Sequence, residues 1–557
     1  MNLTPEEKRI GAENFHGAIG SELTRREFLL GSLTAGAVSG AGLGAFYFNY
    51  SRSLGDPVRV GVIGTGDEGG VLIGAHTPDF VAIRAVADIR PYNIHRAFHG
   101  DQSSPNAAAV RPGLMQKYGW STEDEARRHV RVYDQDYHDL LNDPEIEAVI
   151  IALPLHLHAA VAIEAMRAGK HVLTEKLMAH NIRDCKEMGR VAEETDLLLA
   201  TGHQRHYSIL YDNAVDLIRR GLLGDLHHIR AQWHRGNLPG RDSWQQPLPD
   251  DKMQSRLRSL EKQLSEARGA QIDALTHQKR QVELQLLDAA VDAAGYGYLE
   301  TKLYNDDGSL AYTASPLEEL IRWRLFARTG GGLMAELGSH QLDAAGIFVS
   351  AMRDDGKKVK PLRVTAVGGR HIFPLDRECE DHVYCIYEYP APQYDEDPNK
   401  KVVVTYSSIN GNGFGGYGEV VMGTDGTLIL EREQEVMLYK GSATTTNVKV
   451  ARGSAGPTLD TTESGGGPAA DLGRGALGVG PVSRGYTEEI EHWAWCIRNR
   501  DPQNLPKCRP EVALADAVIA LTTNIAMREQ RAIDFQPQWF DIHSDDTPEG
   551  TPPTGTA

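Results

Sequence analysis

Three groups of residues in this chain have types and spacings that suit chemistry. The first is Gly64-Thr65-Gly66-Asp67-Glu68-Gly69, a G-x-G-x-x-G run directly after the apolar segment Val58–Ile63. In that setting the first glycine permits a tight turn and the second lets a pyrophosphate approach the backbone. The third lets helix and strand pack closely, with the helix N-terminus facing the phosphates. Asp88 follows 22 residues after Gly66, at the end of a second apolar run, Ala82–Ala87. This is close to the spacing of the carboxylate that holds the adenosine ribose hydroxyls. Arg90, two residues on, can meet a ribose phosphate, so NAD is favoured while NADP stays open. The second group is Glu175-Lys176, after the run His171–Thr174. A lysine at the carboxyl end of a parallel strand points into the ligand crevice. There it can hydrogen-bond a substrate hydroxyl and steady an alkoxide as hydride leaves. The third is Glu336 and His340, four residues apart and so on one face of a helix. A histidine beside a carboxylate can take a hydroxyl proton while the carboxylate sets its tautomer and raises its basicity. Trp323, shortly before Gly330-Gly331-Gly332, offers a flat face on which a sugar ring can stack.

These residues need a frame to hold them. Apolar runs at Val58–Ile63, Ala82–Ala87, Ala148–Ala152, His171–Thr174 and Leu197–Thr201 alternate with helical segments at Tyr137–Leu141, His158–Ala168 and Ile182–Thr195. Gly100–Thr122 reads as a polar insertion. Strands alternating with helices give an α/β fold with a doubly wound parallel sheet, a Rossmann domain over residues 55–203. Val364–Gly368, Asp381–Tyr389, Lys401–Ser407, Tyr417–Met422 and Gly426–Glu431 read as strands of a large open, mostly antiparallel sheet in a second, α+β domain over 204–540. Tyr486–Arg498 and Pro510–Arg528 are amphipathic helices that close it. Asp250–Ala294 carries Leu257, Leu260, Leu264 and Ala267 at helical spacing. It reads as a helical arm or hairpin within an insertion over 250–310, either packed on its own subunit or serving as a lid or oligomer contact. Gly453–Gly485 reads as a long loop, flexible or folded over a site. The chain beyond Phe540 is polar and rich in proline and glycine, so 541–557 reads as a disordered tail.

Composition narrows the partners. The net charge of −18 repels nucleic acid and anionic lipid, so neither is expected. The five cysteines show neither zinc-site spacing nor a disulfide framework; they read as structural thiols, and no metal is expected. The first 54 residues read as lying outside the fold. Thr24-Arg25-Arg26-Glu27-Phe28-Leu29-Leu30 opens a stretch, Phe28 to Ser51, without any charge. It resembles a twin-arginine signal, which implies export of the folded protein to the periplasm. An A-x-A site, Ala35-Gly36-Ala37, falls inside the apolar run. An uncleaved leader would tether the protein, and this is the one membrane contact expected.

Ala152-Leu153-Pro154-Leu155-His156-Leu157-His158 and Ala168-Gly169-Lys170-His171-Val172-Leu173-Thr174-Glu175-Lys176 resemble the Gfo/Idh/MocA family of oxidoreductases. So does Gly330-Gly331-Gly332-Leu333-Met334-Ala335-Glu336-Leu337-Gly338-Ser339-His340-Gln341-Leu342-Asp343. The resemblance covers roughly residues 57–250 and 315–535. It implies oxidation or reduction at a sugar or polyol carbinol with a nicotinamide cofactor. Lys176 would be in the active site, His340 would be the general base, and Glu336 would stand where the family carries aspartate. Glu175, Pro154 and His158 would line the cofactor side. Arg205, at the entry to the second domain, would be a site residue, and Asp343 would be either a site residue or part of a solvated face. The second-domain sheet implies a homo-oligomer, dimer or tetramer. Leu177 departs from the proline that the family carries after the lysine. A NAD-dependent glycosidase working by transient oxidation and elimination, and an inactive cofactor-binding scaffold, are the alternatives.

Overall fold

The computed structural model describes residues 3–20, 55–453 apart from 270 and 354, 456–461, and 484–550. Six parallel strands form the first sheet: β1 (Val58–Ile63), β2 (Val81–Ala87), β3 (Arg131–Tyr133), β4 (Ala148–Ile151), β5 (His171–Glu175) and β6 (Leu199–Gly202). Their order is β3-β2-β1-β4-β5-β6, so the chain reverses direction across the sheet between β1 and β4. Ligands of open α/β sheets bind in the crevice at such a switch point. β4 is buried along its whole length, as a strand covered by helices on both faces must be. Residues 100–122, expected to be a polar insertion, instead form helices at Pro105–Val110 and Gly113–Tyr118. The Gly113–Tyr118 helix packs on the helices at Asp67–Ala75 and Pro91–His99.

The second domain starts with β7 (Leu226–His234). An insertion follows: helices Asp251–Glu266 and Gln271–Leu287 pack as a hairpin, and β8 (Thr301–Tyr304) pairs with β9 (Leu310–Ala314). The large sheet adds β10 (Arg363–Gly369), β11 (His382–Pro390), β12 (Lys401–Ile409), β13 (Tyr417–Gly423), β14 (Gly426–Glu431) and β15 (Glu435–Lys440). β16 (Val448–Gly453) and β17 (Gly456–Thr461) form a separate hairpin, so part of the expected loop 453–485 is strand. The order of the large sheet is β15-β14-β13-β7-β12-β11-β10-β18, where β18 is Ile533–Asp534. All its pairs are antiparallel except β7 with β12. Alternation decides its faces. Val383, Cys385, Tyr387 and Tyr389 of β11 point inward, under the helices Ser339–Ser350 and Pro510–Glu529, while Tyr384 and Ile386 point outward and are exposed.

The chain does not leave the first domain behind. Helix Tyr486–Arg498 packs against β1, β2 and the Asp67–Ala75 helix. Helix Pro510–Glu529 bridges β10 and the Ile182–Thr195 helix. Residues 541–550, expected to be disordered, fold back on that same helix. Ile542 is buried there, Lys186 Nζ donates to Ser544 O at 2.8 Å, and Ile182 N donates to Glu549 Oε1 at 2.8 Å. Residues 551–557 lie outside the described residues. All five cysteines are buried and free.

The amino-terminal end also needs correction. Pro5–Gly20, expected to lie outside the fold, is a helix docked on β15 and β16. Ile10, Phe15, Ala18 and Ile19 form its buried stripe. Gly11 lets it approach, because a Cβ there would sit 2.3 Å from Tyr439 Oη. Asn14 Nδ2 donates to Leu438 O and Thr446 O at 3.0 and 3.1 Å, and its Oδ1 accepts from Val448 N at 2.8 Å. The charged flanks hid this apolar stripe from a reading that followed the paired arginine. Arg25 and Arg26 lie outside the described residues.

Candidate active site

The domains enclose a cavity of about 1120 Å3 that runs from the glycine loop to Lys176 and His340. Gly64 adopts φ +89, and a Cβ there would lie 2.4 Å from Ala152 O. Gly69 packs so closely that its Cβ would lie 2.1 Å from Gly64 O. Gly66 differs: the nearest protein atom to its Cβ would be Asn93 Nδ2 at 3.7 Å, and the residue lines the cavity. The loop therefore has the close internal packing and the open second glycine that a pyrophosphate cradle needs.

Asp88, at the end of β2, is held from several sides. Its Oδ2 accepts from Thr65 N at 2.8 Å, Asn93 Nδ2 at 3.1 Å and Thr65 Oγ1 at 3.2 Å, and its Oδ1 accepts from Arg90 N at 2.9 Å. One acceptor site on Oδ1 remains for a ribose hydroxyl. Thr65 is fully buried and acts through its hold on Asp88. Arg90 Nε and Nη2 both lie 2.9 Å from Asp288 Oδ2, so the guanidinium is engaged by the insertion. Pro154 and His158 line the opposite wall. The buried His158 ring lies between Leu177 O, 2.8 Å from Nδ1, and Leu153 O, 2.9 Å from Nε2, and a neutral ring donates to one of these two carbonyls. Burial holds its pKa below the usual histidine value.

β5 delivers Glu175 and Lys176 to the cavity. The Lys176–Leu177 peptide, where the family proline is missing, is cis. Lys176 Nζ donates to Glu336 O at 2.9 Å and more distantly to Ala335 O at 3.4 Å. An ammonium has three donors, so one N–H is left for a ligand. Burial, with Glu68 adding to it, pushes Glu175 up to about 8, so its carboxyl is protonated at neutral pH. Its Oε1 is buried and unpartnered, a polar atom awaiting a ligand in the same cavity. These residues fit a dinucleotide: Gly64 and Gly66 at the phosphates, Asp88 at the ribose, and Glu175 and Lys176 at the reactive end.

Glu336 and His340 do not form the expected pair. Residues Met334–Gly338 make a π-helical turn before the α-helix Ser339–Ser350. The wider turn breaks the rule that residues four apart share a face. Glu336 Oε2 instead accepts from Arg324 Nε at 2.8 Å, and among the described residues no hydrogen bond joins Glu336 to His340. Burial works against ionising Glu336, but Lys176 and Arg324 outweigh it and hold the carboxyl at about 2. The His340 ring faces the cavity beside Trp233, with centroids 5.6 Å apart. Burial, then Lys176 and Arg205, hold its pKa well below the usual value, so the imidazole is neutral.

Two expected substrate residues do not reach the cavity. Arg205 is buried within an anionic cluster: Nε donates to Glu433 Oε1 at 2.8 Å, Nη1 to Glu419 Oε1 at 3.2 Å, and Nη1 also to His340 O. It supports the His340 backbone. Asp343 is neither a ligand residue nor on a solvated face. It is buried against His206 Nε2 at 2.9 Å and Lys358 Nζ at 2.7 Å. Trp323 does line the cavity, with the Arg324 guanidinium 4.3 Å from its ring centroid. The sequence reading missed Arg324, Trp233, Arg235 and Tyr486, which also line it. Glu68 was within the glycine motif but was given no role; it lines the same cavity as Tyr486, which comes from the far end of the chain. No local pattern marks such a residue.

The Gfo/Idh/MocA family model, an oxidoreductase family with an NAD-binding Rossmann fold, matches residues 58–203. An uncharacterized oxidoreductase of Rhizobium meliloti is 31% identical over 192 residues, 33% of this chain and 47% of that protein. A glycosyl hydrolase family 109 protein of Shewanella baltica strain OS195 is 29% identical over 184 residues, 32% of this chain and 35% of that protein. The chain thus matches less than half the length of these curated relatives. Among solved structures, an NAD binding oxidoreductase from Klebsiella pneumoniae has a TM-score of 0.50 at 17% identity, covering 86% of this chain and 99% of that one. Levoglucosan dehydrogenase in complex with NADH and L-sorbose gives 0.50 and 17%, with 86% and 100% covered. These likenesses show a shared two-domain fold. Residues 58–203 therefore form an NAD-binding Rossmann domain similar to that of the Gfo/Idh/MocA oxidoreductases.

Proposed function

We propose that this protein oxidises or reduces a sugar or polyol carbinol with NAD that it retains between turnovers. The observation that carries the reading is the meeting of Lys176 and the His340 ring in the one cavity that also contains Gly66 and Asp88. Bound NAD supplies the hydride chemistry. The remaining N–H of Lys176 steadies the substrate oxygen, and neutral His340 takes its proton. Glu336 acts through its main chain, whose carbonyl aims Lys176, while Arg324 keeps its carboxylate ionised. Trp233, backed by Tyr417 at 4.3 Å, and Trp323 offer flat faces to a sugar ring. The fold shared with NADH-bound levoglucosan dehydrogenase supports the substrate class.

Arg25-Arg26 and the uncharged run after them support export of the folded protein, with an uncleaved leader as a tether. Free nicotinamide cofactor is scarce outside the cytoplasm, so redox-neutral chemistry fits best, with hydride passed from one sugar to another. Val367, Tyr384 and Ile386, exposed on the outer face of β10 and β11, support a homo-oligomer. A second reading, transient oxidation with elimination of a glycosidic substituent, is supported by the glycosyl hydrolase family 109 match and by the protonated Glu175, a proton donor beside Lys176.

The test uses full-length protein on a panel of sugars, polyols and nitrophenyl glycosides without added NAD. Paired lactone and alditol selects the first reading; released nitrophenol selects the second. Lys176→Ala and His340→Ala are expected to abolish turnover with bound NAD unchanged. Near-full turnover in both variants refutes the roles assigned.

A further inference from the structure

The helical insertion belongs to the second domain by chain position, yet its far end rests on the first. Helix Gln271–Leu287 packs along the Pro91–His99 helix, whose start follows Asp88 directly. Three polar links cross the seam. Arg90 grips Asp288 with Nε and Nη2, both at 2.9 Å. Tyr92 N donates to Asp288 Oδ1 at 3.2 Å, and Gln281 Nε2 donates to Tyr92 Oη at 3.2 Å. Asp288 is only 1% exposed, so this ion pair is a buried one. Beside it, Ile89 packs into an apolar cluster with Val291, Ala293 and Tyr298 of the insertion. Gln281, Gln285 and Tyr298 line the same cavity as Gly66 and Asp88.

We propose that the insertion is a clasp over the adenosine end of the dinucleotide site, latched by Arg90–Asp288, and that this latch both slows NAD release and rejects NADP. The proposal rests on the dinucleotide reading of the cavity. Asp88 is where the adenosine ribose is held, and a ribose 2′-phosphate needs a cation at that place. Arg90 is the cation the sequence offers, but it is committed to Asp288. Turning it to a phosphate would leave a buried carboxylate unpaired beside the incoming negative charge. Arg90, Tyr92, Gln281 and Tyr298 all line the cavity beside Asp88, so in the clasp a bound dinucleotide leaves once this seam opens.

The experiment compares NAD-loaded wild-type protein with Asp288→Asn and Tyr92→Phe. Asp288→Asn keeps the acceptor for Tyr92 N but removes the charge that holds Arg90. Tyr92→Phe breaks the Gln281 link and leaves the ion pair. Release of NAD after dilution into excess unlabelled nucleotide, and Kd for NAD and NADP on stripped protein, are measured by fluorescence. Asp288→Asn is expected to speed release at least tenfold and to narrow the NADP-to-NAD Kd ratio at least tenfold. Tyr92→Phe is expected to speed release with the ratio unchanged. Wild-type release rates and ratios in a folded Asp288→Asn variant overturn the clasp. Should that variant not fold, an unchanged release rate in Tyr92→Phe overturns it. Wild-type protein that exchanges NAD within the mixing time overturns the clasp but not the dinucleotide reading; wild-type protein that binds neither nucleotide overturns both.

Discussion

Arg205 is where family resemblance and geometry disagree, and Arg205→Met separates them. The guanidinium lies between Glu419 and Glu433, with all three side chains at most 1% exposed. Removing one partner of a buried pair costs about 3–5 kcal/mol. Here the loss belongs at the lower end. Glu433 keeps Arg484 at 2.8 Å, and Glu419 keeps donors in Tyr211 Oη at 2.8 Å and Gln341 Nε2 at 2.9 Å. Roughly 3 kcal/mol, at about 2–4 °C for each kcal/mol, lowers Tm by about 6–12 °C. The loss also depends on pH. Burial already raises Glu419 to about 7 with Arg205 present, and without the cation its pKa rises further. A carboxyl whose folded pKa lies above its unfolded value binds more protons when folded, so stability falls as pH climbs through that range. The variant is therefore expected to lose more at pH 8.5 than at pH 5.5. Scanning calorimetry at both pH values, with KM for a turned-over sugar, decides the matter. An unchanged Tm combined with a raised KM would show that Arg205 binds substrate after all.

Three further predictions concern the cavity and its glycine loop. Gly66→Ala is expected to fold and to bind NAD at least tenfold more weakly, because its Cβ meets no protein atom nearer than 3.7 Å but enters the cavity. Gly69→Ala is expected to lower Tm, because its Cβ would lie 2.1 Å from Gly64 O; circular dichroism and nucleotide titration distinguish the two, and equal Tm values count against the packing described. Glu175, with a folded pKa of about 8 against an unfolded carboxyl value near 4.5, is expected to lose stability as pH rises between those values. Glu175→Gln should flatten part of that fall in Tm between pH 6 and 9, and identical pH profiles would contradict a protonated Glu175.

The first domain was legible because its signals are local. Strand runs, glycine spacing and the Asp88 interval all act over a few dozen residues, and they mark every strand of the first sheet except the short edge strand β3. Lys176 was likewise legible, because a strand end and a crevice coincide in any sheet of this kind. The alternating strands β10 to β14 of the second domain were read correctly, whereas β8, β9, β15, β16 and β17 were not read as strands. The amino-terminal helix and residues 541–550 were misread because polar flanks and prolines describe composition, while docking depends on a distant surface. The Glu336–His340 pair failed for a subtler reason. Four-residue spacing assumes an α-helix, and the π-helical turn at Met334–Gly338 changes the angle while Arg324 captures the carboxylate. Arg205, expected in the site, and Asp343, expected there or on a solvated face, are both buried in ion clusters, since charge type alone does not say which partners a fold brings near. What the sequence by itself determined was the dinucleotide frame and the lysine at its edge, because neighbouring residues specify them. What only the tertiary structure decided was which distant groups meet there: Arg324 with Glu336, Tyr486 with Glu68 and Asp288 with Arg90. Those encounters depend on how whole elements pack, and packing has no signature within a short window of residues.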